Sequence, residues 1–173
     1  IFWSVVLVGI IGVFVFFWLI SAGKLGFMPT FEELENPNNR FASEVYFADG
    51  PIMNRYFEKE NRKYIEYREI PQSVIDALIA TEDVRFYDHS GVDVRGLFRV
   101  AKGLLTANTS AGGGSTISQQ LAKMLFPRES DLNVFELAIR KFREWVIAVR
   151  LEKSYTKEEI LTMYLNKYDF LNL

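Results

Sequence analysis

The sequence predicts a mostly α-helical protein in which one membrane-spanning helix and a short β-hairpin precede a helical domain. Three observations support this fold class. The first twenty residues are almost entirely apolar, strand-like segments flank an Asp-Gly pair, and residues from Ile70 onward repeat apolar side chains at helical spacing. The predicted organisation is an anchor over 1–23, a connector with the hairpin over 24–69 and a domain over 70–173.

The segment 1–20 carries no charged residue and is long enough to cross a bilayer. Twenty residues at about 1.5 Å rise span roughly 30 Å, which matches the hydrocarbon core of a membrane. Trp3 and Trp18 lie near its ends, where interfacial aromatic residues are favoured. We therefore expect a permanent anchor. A cleaved signal peptide is the alternative, because Ser21-Ala22-Gly23 resembles a cleavage site.

Turn and capping signals divide the rest of the chain into elements. Asp49-Gly50 predicts a hairpin turn within 43–53. Pro71 suits the first turn of a helix that should end close to Glu82. The further predicted helices and their N-caps are 94–106 with Asp93, 115–125 with Ser115, 133–153 with Asn133, and a last helix that begins after Thr156. The composition of 107–114, ANTSAGGG, predicts a flexible loop.

Composition also excludes classes of function. The formal net charge of −2 gives no overall basic field, so we expect no nucleic-acid partner. The absence of cysteine excludes disulfides and thiolate metal sites. A lone histidine, His89, cannot build a histidine-based metal site and is more often structural.

Two adjacent carboxylates, Glu82 and Asp83, follow an apolar helix and precede a turn. Apolar walls at such a helix end would desolvate Glu82, raise its pKa and make it a usable general base. The alternative is a solvated helix terminus, which is the more common setting for a Glu-Asp pair.

A glycine run, 112–114, leads directly into a helix N-terminus, where free backbone N–H groups favour phosphate. Gln119, Gln120 and Lys123 are spaced so that they can lie along one side of that helix. A pyrophosphate site and a simple capped helix after a linker both fit this pattern. A nucleotide-binding P-loop does not, because no Gly-Lys-Ser/Thr ends the run.

A charged cluster, 140–144, interrupts a helix that is otherwise very apolar. Arg140 and Glu144 are spaced as an i,i+4 ion pair. We expect this helix to be buried on most sides, so that its charges need partners and mark a site. A solvated charged face is the alternative.

These motifs, in this order, resemble the glycosyltransferase domain of class A penicillin-binding proteins and of monofunctional peptidoglycan glycosyltransferases. The matching strings are Glu82-Asp83-x-x-Phe86-x-x-His89-x-Gly91, Gly114-Ser115-Thr116-Ile117-Ser118-Gln119-Gln120-Leu121-x-Lys123, Arg140-Lys141-x-x-Glu144 and Lys157-x-x-Ile160-Leu161-x-x-Tyr164-Leu165-Asn166. The resemblance implies a lysozyme-like α-helical fold. It also implies that 1–173 is the N-terminal part of such a protein with its membrane anchor, and that the domain is incomplete at the C-terminus.

The resemblance implies polymerisation of lipid II with inversion and release of undecaprenyl pyrophosphate. Glu82 would be the general base, and Glu144 would be a second catalytic carboxylate that orients the donor or holds a cation. Substrate-binding roles are implied for Ser115, Gln120, Lys123, Arg140 and Lys141, and structural roles within the motif for Asp83, Phe86, His89 and Gly91. A divalent cation such as Mg²⁺ or Mn²⁺ at the donor pyrophosphate is compatible with this chemistry, with Glu144 as the one candidate protein ligand. No organic cofactor is expected.

The implied partners are lipid II, the growing lipid-linked glycan, the bilayer and other cell-wall synthesis proteins. The implied location is the bacterial cytoplasmic membrane, crossed once, with the catalytic part outside the cytoplasm. The apolar segment 96–105 is compatible with contact to the lipid surface or with ordinary core packing. Two other functions stay open: a lysozyme-like hydrolase, and a non-catalytic membrane scaffold if the domain is truncated.

Overall fold

The computed structural model of the chain describes residues 2–26, 28–30, 43–56, 64–106, 113–125 and 132–168. The helices are α1 (Phe2–Ser21), α2 (Gln72–Glu82), α3 (Val94–Leu105), α4 (Ile117–Leu125), α5 (Val134–Ser154) and α6 (Lys157–Lys167). The strands are β1 (Ser43–Tyr46) and β2 (Ile52–Tyr56), which pair antiparallel. The predicted mostly α-helical fold, with an N-terminal apolar helix and a hairpin, is confirmed. Most of the predicted loop 107–114 lies outside the described residues.

Local side-chain caps fix where α5 and α6 begin. The Asn133 side chain accepts a hydrogen bond from the backbone of Glu136, whose carboxylate returns one to the backbone of Asn133. Thr156 and Glu159 form the same reciprocal pair at the start of α6. Each pair satisfies N–H groups that a helix start leaves without a partner, so both predicted capping boxes are confirmed.

The start of α4 differs from the prediction by one residue. The Thr116 hydroxyl, and not that of Ser115, accepts a hydrogen bond from the Gln119 N–H group, at 3.2 Å. The prediction of Ser115 as the cap is therefore wrong. The Ser115 hydroxyl accepts a hydrogen bond from the Lys141 ammonium group instead, so a tertiary contact replaces the local one.

The core of the domain lies where α4, α5 and α6 meet. Buried side chains come from all three helices, and α2 and the short 3-10 helix Phe86–Asp88 add two more: Ile117, Leu121 and Ala122 from α4, Ile147 and Leu151 from α5, Ile160, Leu161 and Tyr164 from α6, Ile75, and Phe86. Burial of each large apolar side chain contributes about 1.5–3 kcal/mol. This packing holds the N-terminus of α4 close to the end of α2.

Helix α5 is less buried than its composition suggested. Val134 and Phe135 in its first turn are 83% and 71% exposed, so the expectation of burial on most sides is wrong for this end. Burial is confined to the later turns, which include Ile147 and Leu151, because α4, α6 and the end of α1 pack there.

The apolar helix α1 is long and apolar enough to cross a membrane, judged by length and composition. Its last turns pack on α5. The rings of Phe16 and Phe17 meet that of Phe142 edge-on, with centroids 5.3 and 5.7 Å apart. The Arg150 guanidinium donates to the carbonyl oxygen of Ser21 at 2.8 Å and to that of Pro29 at 2.9 Å. A cation is favourable at this point, because the C-terminal end of a helix carries unpaired carbonyl groups and partial negative charge.

Gly91, in the loop after α2, lies against the backbone of α5. Its φ of +93° is a conformation that side chains disfavour, and a Cβ placed there would lie 2.7 Å from the backbone carbonyl carbon of Ala148. The carbonyl oxygen of Gly91 accepts hydrogen bonds from Thr116 Oγ1 and Gln119 Nε2. The same residue therefore joins the loop to both α4 and α5.

We predict that Gly91→Ala destabilises the protein by about 2–5 kcal/mol, through φ strain and forced displacement of α5. Gly50→Ala is the matched control, since Gly50 has a φ of +103° but open space around its missing side chain. Thermal unfolding followed by circular dichroism measures both variants. A loss no larger for Gly91→Ala than for Gly50→Ala would contradict the close approach to α5.

Candidate active site

The site is built on the carboxylate of Asp83, which lies 7% exposed directly after α2. Asp83 Oδ2 accepts a hydrogen bond from the Ile117 N–H group at 3.1 Å and lies 3.0 Å from His89 Nε2. A carboxylate at the N-terminus of α4 complements the positive end of the helix dipole. Asp83 thus ties the end of α2 to the start of α4 and holds its neighbour Glu82 at this junction.

A second set of contacts, made by the partly buried Lys157, holds the loop that follows Asp83. The Lys157 ammonium group donates to the carbonyl oxygen of His89 at 2.7 Å and pairs with Glu152 at 2.7 Å. It also lies 4.2 Å from the centre of the Phe86 ring, a cation–π contact. Ser118 donates to the same Glu152 carboxylate, so this buried charge has two partners. These contacts give Lys157 a structural role, because they fix the conformation of the loop that follows Asp83.

Glu82 is the last residue of α2, and its side chain is exposed. The expected apolar surroundings of Glu82 are therefore wrong. The backbone turns at this point so that Asp83 enters the interior and Glu82 points to the surface. The Glu82 carboxylate accepts one hydrogen bond through Oε2, from Gln120 Nε2 at 2.7 Å.

The orientation of Gln120 is fixed from behind by Tyr164. The buried Tyr164 hydroxyl donates to Gln120 Oε1 at 3.0 Å, which leaves Gln120 Nε2 to face Glu82. Burial raises the pKa of the Tyr164 phenol, and the charge of Glu82 raises it further, so the hydroxyl stays protonated as a donor. Tyr164 belongs to the fourth motif of the sequence, but the motif alone does not predict its contact with Gln120.

Gln119 does not share a side of α4 with Gln120, contrary to the expected arrangement. It is fully buried and donates to the carbonyl oxygen of Gly91 at 3.3 Å, because it lies on the core face of the helix. Lys123, three residues after Gln120, is partly buried on α4.

The cationic side of the site comes from α5. Lys141 donates to the Ser115 hydroxyl at 2.9 Å and to Glu144 Oε2 at 3.0 Å. The expected ion pair between Arg140 and Glu144 is wrong: Lys141, at i,i+3 spacing, takes the carboxylate. Arg140 is partly buried on the same helix, and the described hydrogen bonds of the site do not include it.

Glu82 and Ser115 line one small polar pocket. Arg85 and Arg99, which the sequence reasoning missed, line it too. Arg99 Nη2 donates to the carbonyl oxygen of Gly113 at 3.2 Å and so links Gly113 to α3. Lys141 does not line the pocket itself, but its ammonium group contacts the Ser115 hydroxyl, so one wall residue links Lys141 to the pocket that holds Glu82.

Asp93 closes the pocket at the start of α3. Asp93 Oδ1 accepts a hydrogen bond from the Gly96 N–H group at 3.0 Å, so its predicted role as the N-cap is confirmed. Asp93 Oδ2 accepts from Arg85 Nε at 3.1 Å. Burial alone would raise the pKa of Asp93, but the bonds from Arg85 and Gly96 outweigh it, so its pKa lies below the ordinary value. The same bond raises the pKa of Arg85.

Comparison with known proteins identifies relatives of this chain. The family model described as Transglycosylase matches residues 49–172. Penicillin-binding protein 1A of Escherichia coli strain K12 is 39% identical over 140 residues, which are 81% of this chain and 16% of that protein. Penicillin-binding protein 1A of Haemophilus influenzae is 39% identical over 86% of this chain, and that of Vibrio cholerae is 33% identical over 94%. The chain spans less than a fifth of the length of these curated relatives.

We predict that Asp93→Asn lowers the free energy of unfolding by about 1 kcal/mol at neutral pH, because the amide keeps the cap but loses the charge that pairs with Arg85. Since folding lowers the pKa of Asp93, this stabilisation is complete above the ordinary value of 3.8 and is lost as the pH falls through the folded-state pKa. The difference from wild type should therefore vanish in acid. Chemical unfolding at several pH values measures it, with Asp49→Asn in the hairpin turn as the control. A difference that is independent of pH would rule out the ion pair as its source.

Proposed function

This chain belongs to the transglycosylase family, and we propose that it is a peptidoglycan glycosyltransferase that polymerises glycan strands from lipid II. The observation that carries the proposal is a pocket lined by the Glu82 carboxylate and by Ser115, whose hydroxyl binds Lys141. The pocket therefore has a carboxylate on its wall and a cation one hydrogen bond away from it. Glycosyl transfer from a lipid-linked donor needs both: a proton acceptor for the incoming hydroxyl and positive charge for the departing pyrophosphate.

Glu82 acts as the general base. It takes the proton from the 4-hydroxyl of the acceptor sugar, and the freed oxygen attacks the anomeric carbon of the donor from the face opposite the pyrophosphate, which inverts the configuration. Gln120 holds Oε2 of Glu82, and among the described residues Oε1 has no hydrogen-bond donor, so Oε1 is the atom placed to accept this proton. The exposure of Glu82 leaves room for the acceptor.

The basic side chains of Lys123, Arg140 and Lys141 stabilise the leaving group. As the bond from the anomeric carbon to the pyrophosphate oxygen breaks, its electron pair stays on that oxygen, and undecaprenyl pyrophosphate departs without needing a proton. Lys141 is held beside the pocket by Ser115 and Glu144. Lys123 and Arg140, on α4 and α5, complete the proposed set of basic side chains around the donor.

A divalent cation would fit beside the pyrophosphate. Within the described ranges, no group of three or more His, Asp or Glu side chains is arranged to hold a metal ion. Glu144, already beside Lys141, would be the protein ligand, and phosphate oxygens and water would supply the rest, as is usual for Mg²⁺. When bound, the ion would neutralise charge on the leaving pyrophosphate.

The location we propose is the bacterial cytoplasmic membrane, crossed once by α1, with the catalytic part outside the cytoplasm. The length and composition of α1 support this, and so does an exposed apolar stripe on α3. Val94, Phe98 and Leu105 share that stripe and are 58%, 73% and 89% exposed, which favours contact with lipid over core packing. A lipid-linked substrate would then reach the pocket from the bilayer surface.

We expect Glu82→Gln to reduce glycan polymerisation from lipid II by about 10²–10⁴-fold, the usual contribution of a general base. Asp76→Asn, on the same helix and also exposed, should leave the rate unchanged. Gel analysis of labelled lipid II products measures both variants.

Three results would contradict this assignment. Undiminished polymerisation by the Glu82 variant would remove Glu82 from the mechanism. Release of sugar fragments from finished peptidoglycan by the wild type would favour a hydrolase. Absence of turnover by the wild-type protein with its natural flanking sequence would favour a scaffold.

Tyr164→Phe should lower kcat by about 3–10-fold with little change in KM, because it removes one neutral hydrogen bond, typically about 0.5–1.5 kcal/mol, that orients Gln120 toward Glu82. In the Gln120→Ala background the same substitution should have no further effect on kcat. Steady-state kinetics of the two single variants and the double variant measure this coupling. Additive losses would show that Tyr164 does not act through Gln120.

A further inference from the structure

A second concave site lies between the end of α1 and the later turns of α5. It is a groove of about 560 Å³, a volume within the range of roughly 300–1,000 Å³ typical of ligand sites. Its walls include the apolar side chains of Phe17, Trp145 and Val149. None of its lining residues lines the Glu82 pocket, so the two sites are separate.

The polarity of the groove changes along its length. The contacts between α1 and α5 advance in the same direction along both helices, since Phe17 contacts Phe142 and, further along both, Ser21 contacts Arg150. On α5, Trp145 comes before Arg150 and Lys153, so the apolar part lies beside the proposed membrane span. The cations lie at and beyond the last residue of α1. Trp145 and Lys153 are about 12 Å apart along the helix axis.

A phospholipid presents the same order of chemistry, with apolar chains inside the bilayer and a phosphate at its surface. The groove would therefore match one acyl chain and its headgroup. Two of the lining side chains are basic, and none of the lining residues within the described part of the chain is acidic. This charge favours an anionic headgroup over a zwitterionic one.

Arg150 and Lys153 would contribute to lipid binding in different ways. Arg150 already donates to the carbonyl oxygens of Ser21 and Pro29, so it contributes mainly its charge. Lys153 is exposed at the rim, and a lysine ammonium on a flexible stem suits direct contact with a phosphate.

We propose that this groove is a binding site for an anionic phospholipid, with one acyl chain between α1 and α5 and the phosphate at Lys153 and Arg150. The proposal rests on the membrane anchoring of α1 proposed above. It does not depend on the chemistry at Glu82.

Fluorescence quenching in vesicles tests the site directly. Trp3 and Trp18 are replaced by Phe, which leaves Trp145, in the wall of the groove, as the only tryptophan. The protein is reconstituted in phosphatidylcholine vesicles that contain either brominated phosphatidylglycerol or brominated phosphatidylcholine. We expect phosphatidylglycerol to quench Trp145 with about fivefold higher apparent affinity, the factor that one basic residue at an anionic surface supplies.

Three variants separate the groove from general surface charge. Lys153→Gln and Lys153→Glu should abolish the preference for phosphatidylglycerol. Lys102→Gln removes an exposed cation on α3, outside the groove, and should keep it. A further variant, Val149→Phe, which fills the groove while retaining both cations, should reduce quenching by both brominated lipids.

Equal quenching by the two lipids, or stronger competition from a polyprenyl phosphate than from phosphatidylglycerol, would overturn the proposal in favour of an unselective groove or a substrate-lipid site. Flotation of the vesicles distinguishes a failure of membrane anchoring from a failure of the phospholipid site. Protein that does not float with vesicles would overturn the anchoring proposal and this one together. Protein that floats but shows no headgroup preference would overturn the phospholipid site alone. Polymerisation of lipid II in detergent reports on the Glu82 chemistry independently.

Discussion

The buried carboxylate of Asp83 is the interaction on which the rest of the site depends. It binds the first N–H group of α4 and the imidazole of His89, and so joins three stretches of chain that are separated in sequence. A buried charge is stable only when hydrogen bonds replace the water it has lost. That requirement forces the end of α2, the following loop and α4 into one arrangement, and it leaves Glu82 at the rim.

Two neighbouring carboxylates therefore occupy opposite environments. Asp83 is enclosed and fully engaged, whereas Glu82 is exposed and held through one oxygen by Gln120. Adjacent residues therefore provide one carboxylate that is buried and held rigidly, Asp83, and one that is accessible from the surface, Glu82. The buried Tyr164 hydroxyl extends the rigid part, because it fixes the amide that contacts Glu82. In the role of general base proposed for Glu82, this arrangement would need little reorganisation on binding of the acceptor, which is how positioned groups lower a reaction barrier.

Side-chain patterns within one turn of a helix are sufficient to predict where several of the helices begin. Asn133, Thr156 and Asp93 cap helices through neighbours three residues away, so their roles could be predicted from sequence alone. Contacts between residues far apart in sequence could not be predicted in this way. Ser115 binds Lys141 of α5 instead of capping α4, and this contact joins residues 26 positions apart in sequence. Within α5, Lys141 rather than Arg140 pairs with Glu144, and spacing alone does not decide between them, because i,i+3 and i,i+4 positions both bring a cation to that carboxylate. The exposure of Glu82 likewise depends on a backbone turn that its apolar helix did not reveal.

The contacts of Arg150 link the end of α1 to the helical domain. One guanidinium binds Ser21, at the end of α1, and Pro29, in the segment that follows, so the joint between them is fastened on both sides. A span attached by a loose tether would let the domain swing freely. In the membrane-anchored arrangement proposed above, these contacts would couple a tilt of α1 to a tilt of the domain that carries the pocket. Under the proposed membrane location, bilayer thickness, which influences the tilt of a span, would then change the angle between the pocket and the membrane surface.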